Sequence, residues 1–459
     1  MTARHSLLAT RAERADSVNR GRELSNQPDL YRRLNDSPMS KVQVIAIAFT
    51  AILSALEGND VLSMTFAAPA LSHAWHINVV ALGVLLSSGL AGMMLGSLAL
   101  APFADIVGRQ PVVLSALVII VLGGFWSAVS RTVPEMAGSR VVTGIGLGLL
   151  VAVITPLAAE FSNARRRPLA VSLVAVGFPI GGVVGGFIAA ALLRDYGWPS
   201  VFFFKSLVAL ILIPAVIFLL PETPALLIAL GRSDALVRVN RYLIRCGHTP
   251  VESLPDRPAA RSSGYNALFT HGFSSSTIRL SVANGLFVIT AYYFMSWLPQ
   301  MVANAGFQAS TGSLVSAVAN LTGIPGGLLF GLVAQRTRLK PLAAGSLIAF
   351  GLSTAAFGLV PRSLAFIAST SALCGFFLMS SISGLYALLI NTYRADSRAS
   401  ACGFVFGCGR IAMAVAPYLA GWMFASGLNR GAVCLSFAAC TIVAAATLPG
   451  QKSEAAHYF

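Results

Sequence analysis

Residues 42–70 read VQVIAIAFTAILSALEGNDVLSMTFAAPA, an apolar run whose only charges are Glu57 and Asp60. A helix needs about 20 such residues to cross a ~30 Å hydrocarbon core. Working outward, comparable stretches recur near 80–103, 111–130, 134–158, 168–193, 199–220, 278–302, 311–333, 341–360, 363–390, 398–425 and 429–449. The 459-residue chain is 56% apolar and 11% charged, with a mean hydropathy of +0.75. A soluble domain carries about a quarter of its residues as charges, so the composition excludes an ordinary soluble fold. Its 42 glycines suit membrane helices, where small residues let backbones approach closely.

The net charge of +15 is a topology signal rather than a nucleic-acid footprint. Of the 32 Lys and Arg residues, Arg131, Arg194, Lys205, Arg362 and Arg430 are expected on one side of the membrane. Arg140 and Arg410 are expected inside helices, and the remainder lie on the side of the N-terminus. Basic residues concentrate in cytoplasmic segments. Both termini are therefore expected in the cytoplasm of an inner-membrane, multi-pass protein that needs a lipid bilayer and works as a monomer. Residues 1–41, with Arg11, Arg14, Arg20, Arg22, Arg32 and Arg33, are expected to form a disordered tail rather than a signal peptide. A polar interval at 221–277 separates two six-helix halves, 42–220 and 278–449, and 450–459 form a second cytoplasmic tail. Cys246, Cys374, Cys402, Cys408, Cys434 and Cys440 include no Cys-x-x-Cys pair, so neither a disulfide framework nor a metal site is expected.

The halves carry traces of a repeat. The loop Asp105–Pro111 aligns with Gln335–Pro341, and at the same offset Gly177 meets Gly407. Charge inside the membrane is costly and usually functional. Glu57 and Asp60, at i and i+3, share a helix face and suit a proton-coupling site. Against them stand Arg140 and Arg410, so the expected intramembrane charges cancel. Two readings remain open: a pair of internal ion pairs, or an Arg that holds a substrate carboxylate bidentately while one carboxylate carries a proton.

Several motifs carry a resemblance. Asp105, Gly108 and Arg109 occupy a short loop, although Ala101 stands where a Gly is usual, and Ile106 and Gln110 where basic residues are. The fourth helix reads Arg140-x-x-x-Gly144-x-Gly146, the fifth is Gly- and Pro-rich from Gly177 to Gly186, and Pro221-Glu222-Thr223-Pro224 follows the sixth. Glu57-Gly58-Asn59-Asp60 and Gly409-Arg410 complete the set. Together they resemble the major facilitator superfamily over about residues 42–449, and within it the aromatic acid:proton symporters, which typically have Asp where Glu57 stands.

The resemblance implies an all-α fold of twelve transmembrane helices in two six-helix pseudo-repeats. It also implies proton-coupled uptake of an aromatic carboxylate by alternating access, without a cofactor. It assigns gating to Asp105, Gly108 and Arg109. It places Tyr292, Tyr293 and Trp297 where the seventh helix lines the cavity, although an interfacial aromatic belt reads equally well. Arg410 and Arg140 are candidate carboxylate ligands. Tyr386, Gln300, Asn320 and Asn391 are further polar candidates, and His73 and His76 are expected in the first outer loop with Trp75. The Pro-Glu-Thr-Pro turn is expected to be structural. Rivals are efflux of a hydrophobic compound, import of a sugar acid or other organic acid, and a non-transporting receptor or sensor. No nucleophile elbow or phosphate loop suggests an enzyme.

Overall fold

The computed structural model describes residues 37–100, 103–230, 233–255, 274–393 and 398–448. The expected disordered tails, apart from the stretch just before the first helix, and much of the central interval lie outside the described residues. Twelve described helices are long and apolar enough to cross a membrane. In the first half they are α1 (Lys41–Trp75), α2 (Val79–Leu95, continued by a π-helical turn), α4 (Arg109–Val129), α5 (Val133–Phe161), α6 (Arg167–Asp195) and α7 (Trp198–Leu219). The short α3 (Phe103–Val107) lies between α2 and α4. The second half holds α10 (Ser274–Asn304), α11 (Ala309–Ala334), α12 (Leu339–Leu359), α13 (Leu364–Thr392), α14 (Arg398–Ala425) and α15 (Arg430–Thr447). Spanning helices are favoured because lipid offers no partner to a free backbone group. Four helix starts carry side-chain caps of their own. Ser40 forms a capping box with Gln43, and Asn78, Thr132 and Asn429 each accept a backbone N–H from the first turn.

α1 runs past its expected end. Pro69 is absorbed, and the helix stops only at His76, which adopts a left-handed conformation at φ 50°. His73 and Trp75, expected in a loop, are therefore its last turn. The central interval also holds two helices not foreseen, α8 (Pro224–Leu230) and α9 (Ala235–Arg245). Their apolar faces pack together through Leu227, Ile228, Val239 and Leu243, while Tyr242 stacks on Phe161 at 6.3 Å.

The two halves repeat one pairing scheme. α1 packs on α6 as α10 packs on α14, and α2 on α5 as α11 on α13. α4 likewise contacts α5 and α7 as α12 contacts α13 and α15. Close approach in the first half depends on glycine. A Cβ at Gly181 would strike the Ala55 carbonyl, and one at Gly58 the Phe178 carbonyl, so α1 and α6 touch backbone to backbone. Exposed Leu122, Ile211, Phe218, Leu332, Leu352 and Phe366 form an apolar outer surface suited to lipid.

The halves do not meet evenly. At the end away from Lys41, Met64, Ala67, Leu71, Leu82, Leu85, Met136 and Phe202 share one core with the second half. At the Lys41 end the corresponding core belongs to the first half, with Met413 its one fully buried member from the other. The two halves thus share a buried core on the far side, and on the side of the N-terminus each largely keeps its own.

Candidate functional site

α1 places Glu57 and Asp60 one turn apart, and their surroundings differ. Asp60 is fully buried within the first half. Its Oδ1 accepts from Lys205 Nζ at 2.6 Å and from Arg140 Nη1 at 3.2 Å, while Arg140 Nη2 donates to the Asp60 carbonyl at 3.2 Å. Both cations sit near the Phe202 ring, at 5.3 Å for Lys205 and 5.8 Å for Arg140, where the π-face adds attraction. Asp60 Oδ2 and Arg140 Nε have no hydrogen-bond partner among the described residues.

Lys205 corrects the sequence reading. It was expected among the outer-loop charges, but it lies two turns into α7 with 1% exposure. The expected balance of two carboxylates and two cations therefore fails, because three cations face two carboxylates. A signal was present in the composition. The chain contains only Lys41, Lys205, Lys340 and Lys452, and Lys205 alone falls inside an apolar stretch.

Glu57 is 8% exposed, and no described group lies within hydrogen-bond or ion-pair distance of it. Its charged neighbour is Arg410 on α14, close enough for their charges to interact. Tyr292 of α10 and Tyr386 of α13 share that field. Tyr386 stacks on Phe406 at 4.2 Å and is 47% exposed. Arg410 is partly exposed and makes no hydrogen bond or ion pair with a described residue. This second cluster draws from both halves.

Tyr293 and Trp297 are not brought to it. Tyr293 stacks on Phe437 at 4.1 Å and meets Cys434 Sγ at 3.1 Å. Trp297 Nε1 donates to the Pro417 carbonyl at 3.0 Å. Adjacent helical residues point about 100° apart, so Tyr292 and Tyr293 serve different surfaces. Of the lower-ranked polar residues, Asn320 donates to the Ser316 carbonyl at 2.9 Å in a small apolar cavity with Leu62, Phe294 and Met295. Gln300 bonds Asn304, and Asn391 is exposed. His73 and His76 lie 6.5 Å apart at the far end of α1. Among the described residues, no group of three or more His, Cys, Asp or Glu could hold a metal.

The loop before α4 forms a second constellation. Asp105 lies on α3, but its side chain is outside the described residues. Gly108 has φ 124°, a conformation reserved in practice for glycine, and a Cβ there would also press on Glu222 at 2.6 Å. Glu222 caps α4, accepting the backbone N–H of Arg109 at 3.0 Å and of Gln110 at 3.3 Å. Arg109 Nη2 donates to Glu160 at 3.2 Å, and Thr223 Oγ1 donates to the same carboxylate at 2.6 Å. The Pro-Glu-Thr-Pro turn thus ties α4 and α5 together. Burial lifts the Glu222 carboxyl above its ordinary range, outweighing the lowering by the backbone N–H groups it accepts.

The family model described as Major Facilitator Superfamily matches residues 47–337. The 4-hydroxybenzoate transporter PcaK of Pseudomonas aeruginosa is 26% identical, over 93% of this chain and 97% of that protein. The gallate transporter of Pseudomonas putida is 26% identical, over 88% and 90%. The 3-(3-hydroxy-phenyl)propionate transporter of Escherichia coli is 27% identical, over 89% and 94%. Among solved structures, the inward open xylose transporter XylE from E. coli superposes with a TM-score of 0.68 at 16% identity, covering 89% of this chain and 97% of that one. The chain belongs to the Major Facilitator Superfamily, as a multi-pass membrane transporter rather than an enzyme.

Proposed function

We infer that the protein carries a small aromatic carboxylate into the cell together with a proton, by alternating access across the inner membrane. The observation that carries this reading is the cluster of Glu57, Arg410, Tyr292 and Tyr386. A guanidinium with no acceptor among the described residues lies within the field of a carboxylate and two tyrosines, at the seam between the halves. Arg410 offers a planar fork for a substrate carboxylate, and the tyrosines offer faces and edges to an aromatic ring. The names of the three relatives given above, transporters of 4-hydroxybenzoate, gallate and 3-(3-hydroxy-phenyl)propionate, support the same substrate class.

In this reading the halves 42–220 and 278–449 rock about the central site, and both termini are cytoplasmic. The seam on the side of the N-terminus is then the inward path, and the far-side core through Met64, Leu71 and Phe202 closes the outer one. Glu57 and Asp60 form the proton-coupling site, and Arg140 holds Asp60 in place. Asp105, Gly108 and Arg109, with Glu160 and Glu222, form the inner latch between states. A single chain suffices, since both clusters are complete within it.

The test is uptake of labelled 4-hydroxybenzoate into proteoliposomes under an imposed pH gradient. Accumulation that is abolished by a protonophore, and by Glu57→Gln and Asp60→Asn, is expected. Proton-driven accumulation unchanged in both variants would overturn the coupling assignment. A parallel panel of sugar acids and aliphatic acids tests the substrate class.

A further inference from the structure

The buried site is over-supplied with cations. With both carboxylates ionised, Glu57 and Asp60 face Arg140, Arg410 and Lys205, leaving one positive charge in excess. An uncompensated buried charge costs several kcal/mol. The excess is local as well as global. Arg140 and Lys205 crowd onto Asp60 Oδ1, and neither is bonded to Oδ2. Two ways of restoring neutrality exist: a cation can lose a proton, or an anion can arrive.

The chemistry of the three cations is not equivalent. A guanidinium does not give up its proton at accessible pH, whereas a lysine ammonium does so readily when desolvated. Lys205 has the one ammonium in the set, on a chain that otherwise fills its basic positions almost entirely with Arg. The elements packed on α7 are α1, α4 and α6. α1 presents Asp60 to Lys205, with Glu57 a turn further on, and Arg140 reaches in from α5. α4 presents Gly124, whose added Cβ would lie 3.4 Å from Lys205 Cε, and its one charged residue, Arg109, is at its other end. The charges of α6, Arg167, Arg194 and Asp195, sit at its termini.

We propose that Lys205 Nζ is the atom that carries the coupling proton, as an ammonium when the anionic substrate is bound and as a neutral amine when the site is empty. This rests on the reading of the protein as a proton-coupled carrier of an organic anion, and it names the proton-bearing atom within that site. The balance closes in both states. Loaded, three cations meet Glu57, Asp60 and the substrate carboxylate. Empty, two guanidinium groups meet two carboxylates, and the proton has left the ammonium for water in the seam. Neutrality in each state removes the penalty for enclosing an uncompensated charge as the halves rock about the site. Asp60, bonded to Lys205 and one turn from Glu57, links the amine to the substrate cluster.

The scarcity of lysine makes a direct test practicable. Protein labelled with 13C at lysine Cε should give signals from Lys41, Lys205, Lys340 and Lys452, assigned with the K41R, K340R and K452R variants. In the unmutated protein at fixed neutral pH, the Lys205 signal is expected to move from the amine to the ammonium position when 4-hydroxybenzoate is added. An ammonium signal in both states overturns the proposal. In proteoliposomes, one proton per substrate sustains about tenfold accumulation per unit of pH gradient. K205R, which cannot release its proton, is expected to bring the labelled acid only to equal concentrations. Accumulation by K205R equal to that of the unmutated protein also overturns it. Absence of any proton-driven uptake in the unmutated protein would instead defeat the parent reading.

Discussion

Glu57 and Asp60 are separated by one turn of the same helix, yet they belong to different parts of the molecule. Asp60 is sealed inside the first half, where Lys205 and Arg140 share one of its oxygens. Glu57 faces the seam, unbonded among the described residues, opposite Arg410 of the second half. The difference shows what sets the role of a buried carboxylate. A group clamped by cations from its own bundle acts through those cations, whereas one facing the other bundle meets directly what enters between them. Glu222 is a third case, because its partners are the backbone N–H groups that open α4.

The comparison can be broken most directly at Asp60. Asp60→Ala leaves Arg140 and Lys205 buried without an anion and is expected to cost about 3–5 kcal/mol, read as a large fall in melting temperature of the purified protein. Removing Lys205 as well should recover part of that loss, so a double-mutant cycle of Asp60→Ala and Lys205→Met gives a coupling of about 1–3 kcal/mol. Melting of Asp60→Ala at the unmutated temperature would remove the distinction between the two carboxylates.

Glu57→Gln should sharpen it from the other side. Its stability is expected within about 1 kcal/mol of the unmutated protein, while proton-driven accumulation of 4-hydroxybenzoate is lost. On the same side of the seam, Tyr386→Ala removes a ring stacked on Phe406 and should weaken substrate binding about 2- to 13-fold, matching about 0.5–1.5 kcal/mol for an aromatic pair. Isothermal titration of the purified protein with 4-hydroxybenzoate would measure it. Tyr293→Phe, away from the seam, deletes the hydroxyl's bonds to Cys434 and Met301 and should appear as about 1 kcal/mol of lost stability.

The smallest expected effect belongs to Glu222. Its carboxyl binds a proton in the folded protein at a pH above the ordinary value of 4.5. The associated stability is present below that ordinary value and is lost as pH rises through the raised one. Glu222→Gln should therefore flatten the decline of melting temperature with rising pH across that window. An unchanged slope in the variant would show that the turn contributes nothing through its protonation.

Much of this was legible in the chain. Hydropathy located the spanning helices, charge scarcity singled out Glu57, Asp60, Arg140 and Arg410, and the loop and helix motifs pointed to the superfamily. These signals are local sums over twenty or so neighbouring residues, and lipid enforces them because no unpaired backbone or bare charge is tolerated in it. Other features were not legible. By sequence Lys205 counts among the outer-loop charges, and only the packing of α7 carries it inward to Asp60. The equal prospects of Tyr292 and Tyr293 were separated only by the rotation of α10. The helices within the central interval, and the cap that Glu222 places on α4, likewise depend on contacts made by folding. By itself the sequence determined which segments enter the membrane and which charges enter with them. Only the tertiary structure decided which of those charges meet, because pairing depends on how helices from distant parts of the chain are turned and packed against one another.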